Sequence, residues 1–155
     1  MITNIRHTGI VVSDMEKALF FYHDLLEIGK VVLETIVQSD YHTSLTAAAN
    51  VKIRVTMLQA HDGNKVELLQ YLSHPQSPPE NVNSYDIGCS HIAVQVEDIN
   101  KLYEKLINAK VQFNAPPEAD PNGYCSVAYC HDFDGTIVEL VEVLDEDQTL
   151  YKSSN

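Results

Sequence analysis

The sequence predicts an α+β fold of two tandem β-α-β-β-β modules. Two kinds of observation carry this prediction. The 155-residue chain is 45% hydrophobic and 21% charged, a balance typical of a compact soluble protein with a buried core. It also repeats itself in two separate places, so that one supersecondary unit is encoded twice.

The first repeat begins at a histidine. Residues 7–14 align with residues 91–98 at a spacing of 84 residues (91 − 7) and share a histidine, aliphatic positions and a final aspartate. The alternating apolar run in each copy is typical of a strand. Asp14 and Asp98 follow these strands, and we expect each to cap a helix, over residues 15–26 and 99–107.

The second repeat is the pattern Asp-Gly-x-x-Val-Glu-Leu. It occurs at residues 62–68 and again at residues 134–140, a spacing of 72 residues (134 − 62). An Asp-Gly dipeptide before an aliphatic run indicates a tight turn that leads into a strand, because glycine tolerates a positive φ. Each module is therefore expected to end in a hairpin strand.

The segments between the repeats complete the two modules. We predict strands at Lys30 to Val37, Val51 to Leu58, Val111 to Phe113 and Tyr124 to Tyr129, and loops at Gln38 to Asn50 and Asn114 to Gly123. The whole is predicted to be one domain over residues 1–144. It comprises a first module at about 5–72, a Pro- and Asn-rich linker at 73–90, a second module at about 91–143 and a tail at 145–155.

Charge and composition narrow the classes of partner and location. The formal net charge of −12 disfavours nucleic acid as a partner. The three cysteines have no CxxC spacing and are expected to be reduced thiols inside a cell. No stretch approaches the ~18 apolar residues of a membrane span. We therefore expect a cytoplasmic protein that does not bind membranes.

Four repeat-related polar residues are candidate metal ligands. His7 and His91 open their strands, and Glu67 and Glu139 lie between Val and Leu residues that should point to the opposite sheet face. A single strand His or Glu is usually solvated or hydrogen-bonded, but four at equivalent positions favour a site. Two imidazoles and two carboxylates suit one divalent ion of Ni, Co, Zn, Mn or Fe.

The remaining chemically active side chains are weaker candidates. Tyr129 lies on the strand before Glu139 and could face the same pocket as a catalytic residue, although a core or hairpin aromatic is the commoner role. Five other histidines have no partner at the repeat spacing and are not assigned to the metal: His23, His42, His61, His74 and His131.

These residues resemble the vicinal oxygen chelate superfamily, which includes glyoxalase I. The resemblance covers roughly Ile5 to Val143 and is most specific at residues 132–140. It implies that the two modules form a cup-shaped mixed sheet with the helices outside, and that His7, Glu67, His91 and Glu139 project into this cup around one metal ion. It also implies a metal-dependent lyase or isomerase of the glyoxalase type, which chelates neighbouring oxygens of a small substrate and stabilises an enolate-like intermediate.

The resemblance implies a catalytic role for two of the ligands. We expect Glu67 or Glu139 to move between metal and substrate and to carry the proton. Bacterial glyoxalases hold glutathione with an Arg and an Asn, and the matching positions are Val11 and Tyr71, so glutathione is not indicated. The family also commonly pairs modules across dimers, and we expect a homodimer.

Three alternatives stay open within the same family. An extradiol Fe(II) dioxygenase is suggested by Tyr129, because those enzymes carry a tyrosine before their glutamate ligand. An epimerase similar to methylmalonyl-CoA epimerase is suggested by residues 65–69. A non-catalytic binding protein of the bleomycin-resistance type would hold a small molecule in the same cup, although such proteins usually lack the full ligand set.

Overall fold

The structure, a computed structural model, describes residues 1–78 and 83–145. The chain divides into two compact units, Met1–Glu80 and Asn81–Asn155. The boundary falls inside the linker predicted at residues 73–90. Part of that linker and nearly all of the predicted tail at 145–155 lie outside the described residues. The two units are taken separately below.

The first unit has the predicted β-α-β-β-β order with one additional helix. Its elements are β1 (Thr8–Val11), α1 (Met15–Leu19), β2 (Lys30–Val37), α2 (Asp40–Thr46), β3 (Ile53–Gln59) and β4 (Lys65–Tyr71). The strand order in the sheet is β1-β4-β3-β2. Strand β1 runs parallel to β4, and the other neighbours are antiparallel.

The second unit repeats this plan with one extra short strand. Its elements are β5 (His91–Gln95), α3 (Ile99–Asn108), β6 (Gln112–Phe113), β7 (Glu118–Ala119), β8 (Cys125–His131) and β9 (Ile137–Val143). The strand order is β5-β9-β8-β6, and β7 also pairs with β8. Strand β5 is parallel to β9, as β1 is to β4. The predicted fold class is therefore confirmed.

The predicted caps of both first helices are also present. The Asp14 side chain accepts a hydrogen bond from the backbone N–H of Lys17 at 3.1 Å. Asp98 accepts the equivalent bond from Lys101 at 3.0 Å. Each cap satisfies one of the backbone donors that the first turn of a helix leaves without a partner. The first helix differs from the prediction, because α1 ends at Leu19 and a π-helical segment continues to Leu25.

Both predicted loops contain short regular elements, so those two predictions are wrong in part. Residues 38–50 include α2, which begins after a Ser39 cap and buries none of its side chains. Without a buried face it leaves no apolar period in the sequence. Residues 114–123 include β7, which pairs Glu118 with Val127 and Ala119 with Ser126. Two residues are too few to show an alternating pattern.

The face of each sheet that contacts a helix is lined with buried aliphatic residues. Val66 and Leu68 on β4, and Val138 and Leu140 on β9, are buried, while α1 contacts β4 and α3 contacts β9. Glu67 and Glu139 alternate with these residues and therefore lie on the opposite face. No helix in the described part of the chain is long and apolar enough to span a membrane.

Candidate metal centre

In the first unit, the parallel pairing of β1 and β4 brings a histidine and a glutamate together. His7 directly precedes β1, and Glu67 lies in β4 opposite Gly9. The Nε2 atom of His7 is 3.2 Å from Oε2 of Glu67, with 31% and 21% of the two side chains exposed. Two residues far apart in sequence therefore form a close, partly shielded pair.

The second unit repeats the arrangement. His91 opens β5, and Glu139 lies in β9 opposite Ala93. The distance from His91 Nε2 to Glu139 Oε2 is 3.0 Å, and the side chains are 45% and 20% exposed. The same atoms of the same residue types thus meet at nearly the same distance in both units.

The spacing of these donors fits a divalent metal ion. Nitrogen and oxygen ligands bind such ions at about 2.0–2.2 Å, so two donors on neighbouring coordination positions lie roughly 3 Å apart. The observed separations of 3.2 and 3.0 Å match this value. The His7 Nδ1 atom is buried and has no hydrogen-bond partner, and Nε2 is the ring nitrogen that faces Glu67.

Each unit by itself supplies two donors. Within the described ranges, no group of three or more His, Cys, Asp or Glu side chains could by itself hold a metal ion. The two buried cysteines are poor additional ligands, because burial raises the pKa of Cys125 and raises that of Cys130 to about 12. A buried thiol that keeps its proton is a poor metal ligand.

Tyr129 shares the sheet face of the second pair. It lies on β8 directly opposite Glu139, and residues directly opposite in antiparallel strands point to the same side. Its ring centroid is 5.4 Å from that of His91, with the ring planes tilted by 37°. The structure therefore places the phenol beside both members of the pair.

Two neighbours of the pairs were not singled out from the sequence. Met57 lies opposite Glu67, in the position that Tyr129 has opposite Glu139. The 72-residue spacing relates the two positions and could have revealed Met57. His131 lies two residues after Tyr129 on the same strand, and therefore on the same face. The sequence could have indicated His131, because it lies two residues after Tyr129 in a strand whose side chains alternate between the two faces.

His131 has hydrogen-bond partners away from the metal pair. Its Nε2 atom lies 2.8 Å from Asn114 Oδ1 and its Nδ1 atom 3.3 Å from the Gly135 carbonyl oxygen. These contacts join the segment after β6 to the β8–β9 turn. The expectation that His131 is not a ligand agrees with this structural role.

The most strongly charged cluster of the first unit lies on the other face. Arg54 donates hydrogen bonds to Glu16 on α1 and Glu34 on β2. The Arg54 guanidinium holds the pKa of Glu16 below its usual value, and both carboxylates raise the pKa of Arg54. Arg54 alternates with Val55 and Met57, so this cluster is separated from the Glu67 face by the sheet.

In a comparison with protein-family models, the model of the glyoxalase/bleomycin resistance protein/dioxygenase superfamily matches residues 4–140. The chain belongs to this superfamily. The match spans both units and all four candidate ligands. A comparison with curated protein sequences finds no match for this chain.

Solved structures of the superfamily share the fold. A glyoxalase family protein from Bacillus cereus aligns with a TM-score of 0.82 and 19% identity, covering 94% of this chain and 97% of that one. A glyoxalase family protein from Enterococcus faecalis aligns with a TM-score of 0.60 and 21% identity, covering 90% and 97%. These identities support the fold and leave the activity open.

A third similar structure contains a metal ion. A point mutant of the fosfomycin resistance protein FosX from Listeria monocytogenes, in complex with Mn(II) and 1S,2S-dihydroxypropylphosphonic acid, aligns with a TM-score of 0.62 and 16% identity. The alignment covers 90% of each chain. The superfamily thus includes a protein that holds a divalent ion together with a ligand that bears two neighbouring hydroxyl groups.

Proposed function

We propose that this protein is a divalent-metal-dependent lyase or isomerase of the glyoxalase type. His7, Glu67, His91 and Glu139 are the proposed ligands of one ion. The observation that carries the proposal is the repeated His–Glu pair, with Nε2 to Oε2 separations of 3.2 and 3.0 Å. If these side chains were only solvated, we would not expect a histidine and a glutamate to lie at nearly the same distance from each other in both units.

The donor set supports a particular group of metals. Two nitrogen and two carboxylate donors suit Ni, Co, Zn, Mn or Fe. Four protein ligands would leave further coordination positions of a six-coordinate ion for two neighbouring substrate oxygens. When bound, such an ion supplies positive charge that stabilises negative charge developing on those oxygens.

The side chains of the two pairs are suited to proton transfer. The Glu67 and Glu139 side chains are 21% and 20% exposed, so each carboxylate is partly shielded and still reachable by a small molecule. We propose that one of them removes a proton from the carbon next to a substrate carbonyl and returns it to a neighbouring atom. Tyr129, beside Glu139, can donate a hydrogen bond to a substrate oxygen.

Glutathione is not the proposed substrate. The two positions that would hold it by resemblance carry apolar or partly buried side chains here. Val11 is 55% exposed and uncharged, and Tyr71 packs against the apolar cluster of Val51, Ile53 and Val55. Neither gives a charged tripeptide an ionic partner, which favours a smaller α-hydroxy carbonyl compound.

Metal stoichiometry tests the four-ligand site. After reconstitution with Mn(II) or Ni(II), we expect one ion per chain by mass spectrometry of metals. His7→Ala and His91→Ala should each reduce the content to near zero, because both pairs hold the same ion. His74→Ala, in the segment after β4, is the matched control. Two ions per chain, or loss of only half the metal in each variant, would overturn the proposal.

Proton exchange tests the reaction class. The metal-loaded protein is incubated in D₂O with a panel of α-hydroxy ketones and α-hydroxy thioesters, and deuterium uptake is followed by NMR. We expect exchange next to the carbonyl of at least one compound and its loss in Glu139→Gln or Glu67→Gln. If both single variants keep the metal and the full exchange rate, the proposed role of these glutamates in proton transfer is contradicted.

The position of Tyr129 favours one second candidate, an extradiol-type Fe(II) dioxygenase. A tyrosine beside the glutamate ligand, 5.4 Å from His91 between ring centroids, is compatible with a phenol that contacts a catechol oxygen. Oxygen consumption with catechols by the Fe(II)-loaded protein separates this candidate from the first. Tight ligand binding without proton exchange or oxygen consumption would instead identify a binding protein of the resistance type.

A further inference from the structure

We propose that Lys65 and Lys30, with Gln59 between them, form a subsite for an anionic group beside the His7–Glu67 pair. This inference rests on the proposed function and deepens it. The substrate would carry a carboxylate, phosphate or phosphonate in addition to its two neighbouring oxygens. The observations that carry the proposal all lie within the first unit.

The register of the sheet places these side chains in one row. Lys65 on β4 is opposite Gln59 on β3, and Gln59 is opposite Lys30 on β2. Directly opposite residues share a face and have Cβ atoms about 5 Å apart. The row therefore presents two ammonium groups with an amide between them, a spacing that one anionic group can bridge through the flexible lysine side chains.

The row lies on the same face as the proposed metal ligands. Lys65 is two residues before Glu67 on β4, and alternate residues of a strand point to the same side. Thr8 on β1 is opposite Val66 on β4. His7 directly precedes Thr8, and Lys65 directly precedes Val66, so His7 and Lys65 are neighbours across the two strands. Lys65 therefore projects from the sheet beside the His7–Glu67 pair.

No other carboxylate in this part of the sheet neutralises the two lysines. Glu67 pairs with His7, and Glu34 pairs with Arg54 on the opposite face. Asp62, in the turn before β4, accepts hydrogen bonds from the backbone and side chain of Asn64. Among the described residues, neither Lys30 nor Lys65 forms an ion pair.

The second unit provides an internal control. In its equivalent row, Ile137 replaces Lys65 and His131 replaces Gln59, and His131 is already bound to Asn114 and Gly135. The fold therefore does not require cations at this position.

The overall charge of the chain makes this pair of lysines more important. The chain has ten Lys and Arg residues and 22 Asp and Glu residues, so its net charge repels an anionic ligand. Two lysines that have no carboxylate partner in the described part of the chain offset that repulsion locally.

Two hydroxamates that share a chelating group test the subsite. Acetohydroxamate has only the chelating group, whereas phosphonoacetohydroxamate adds a phosphonate. We expect the Mn(II)-loaded protein to bind the phosphonate compound about tenfold more tightly by calorimetry, as for one charge-assisted contact. Lys65→Gln should remove most of this preference and leave acetohydroxamate binding unchanged, and Lys30→Gln should reduce it less. Lys101→Gln on α3 is the charge-matched control.

The two proposals fail in different ways. Equal affinity for the two hydroxamates, or an equal loss in Lys65→Gln and Lys101→Gln, would overturn the anion subsite and leave the metal site standing. If acetohydroxamate does not bind, the metal proposal fails. The subsite is then tested by itself: phosphonoacetate is titrated into the metal-free protein and its binding is followed by ³¹P NMR. Binding weakened at least about fivefold by Lys65→Gln would then support the subsite, and the same binding in both proteins would overturn it.

Discussion

Tyr129 lies directly opposite Glu139, and Met57 lies directly opposite Glu67. The two units therefore have the same backbone arrangement and the same His–Glu pair but different side chains across from the glutamate. A phenol can donate a hydrogen bond, whereas a thioether is only a weak acceptor. Under the proposed function, the capacity to donate a proton is concentrated in the second unit.

Tyr129→Phe tests this difference. We expect a loss of about 10- to 100-fold in kcat/KM for the proton-exchange reaction, with the metal content unchanged, because a positioned donor is removed without loss of a ligand. Met57→Leu keeps the volume and should change the rate less than about threefold. Equal effects of the two substitutions would show that Tyr129 acts by packing alone.

Thr56 gives a prediction about stability. Its hydroxyl group is completely buried and has no hydrogen-bond partner. Thr56→Val removes this unsatisfied group at nearly constant shape, so we expect the free energy of unfolding to rise by about 1 kcal/mol. Thr46→Val is the contrast, because the Thr46 hydroxyl donates to the His42 carbonyl at 2.8 Å. Urea unfolding should show stabilisation in the first variant and destabilisation in the second.

The Arg54 cluster gives a prediction about pH. The pKa of Glu16 is lower in the folded protein, first because of its hydrogen bond to Arg54. A lowered folded-state pKa adds stability above the unfolded-state value of 4.5, and this stability is lost as the pH falls through the folded-state pKa. Glu16→Gln should therefore destabilise at pH 7 and become neutral in acid.

The effect at pH 7 is expected to be below about 1 kcal/mol, since the Glu16 side chain is 72% exposed and solvent screens the pair. Unfolding free energies of the wild type and the variant are compared between pH 7 and pH 3. Glu104→Gln on α3 serves as the control for an exposed glutamate. A difference that grows as the pH falls would contradict the assigned direction of the pKa shift.

The three cysteines should differ in reactivity. Cys125 and Cys130 are buried and their pKa values are raised, that of Cys130 to about 12, whereas Cys89 is partly exposed. The thiolate is the reactive form. A maleimide at pH 8 should label one thiol rapidly in the native protein and three after unfolding. Cys89→Ser should remove the rapid label, and rapid labelling that persists would contradict the burial of the other two.

Gly29 is expected to tolerate no side chain. It has φ +55°, and a Cβ there would lie 1.8 Å from the Gln59 carbonyl oxygen. Gly29→Ala should destabilise by at least about 2 kcal/mol, through both the clash and the strained backbone. Gly123 also has a positive φ, but a Cβ there meets nothing within 4 Å. Gly123→Ala should have the smaller effect, and thermal unfolding of the two variants compares them.

The sequence predicted those parts of the fold that leave a repeated or periodic pattern. Gly63 and Gly135 have the positive φ values expected of the Asp-Gly turns, and Asp14 and Asp98 are the helix caps. Helix α2 was missed because it has no buried face. The row of Lys30, Gln59 and Lys65 was missed because it depends on strand register, which residues far apart in the chain determine together.

The candidate site followed from the same repeat. The repeat singled out two histidines and two glutamates as equivalent residues of the two modules, and the strand register brings one histidine and one glutamate together in each unit. The 72-residue spacing also relates Met57 to Tyr129, but a methionine and a tyrosine are chemically too different for the repeat to draw attention to Met57. The repeat also could not show that His131 is bound by Asn114, since that contact has no equivalent in the first unit.

The parallel pairing of the first and last strands of each unit has a consequence for synthesis. His7 precedes β1 and Glu67 lies in β4, so these donors meet only when the chain has closed the contact of longest sequence separation in that sheet. The same is true of His91 and Glu139 in the second unit. A chain still emerging from the ribosome, with β4 not yet released, has no His7–Glu67 pair, so under the proposed function its first unit would gain its metal ligands only after β4 has docked beside β1.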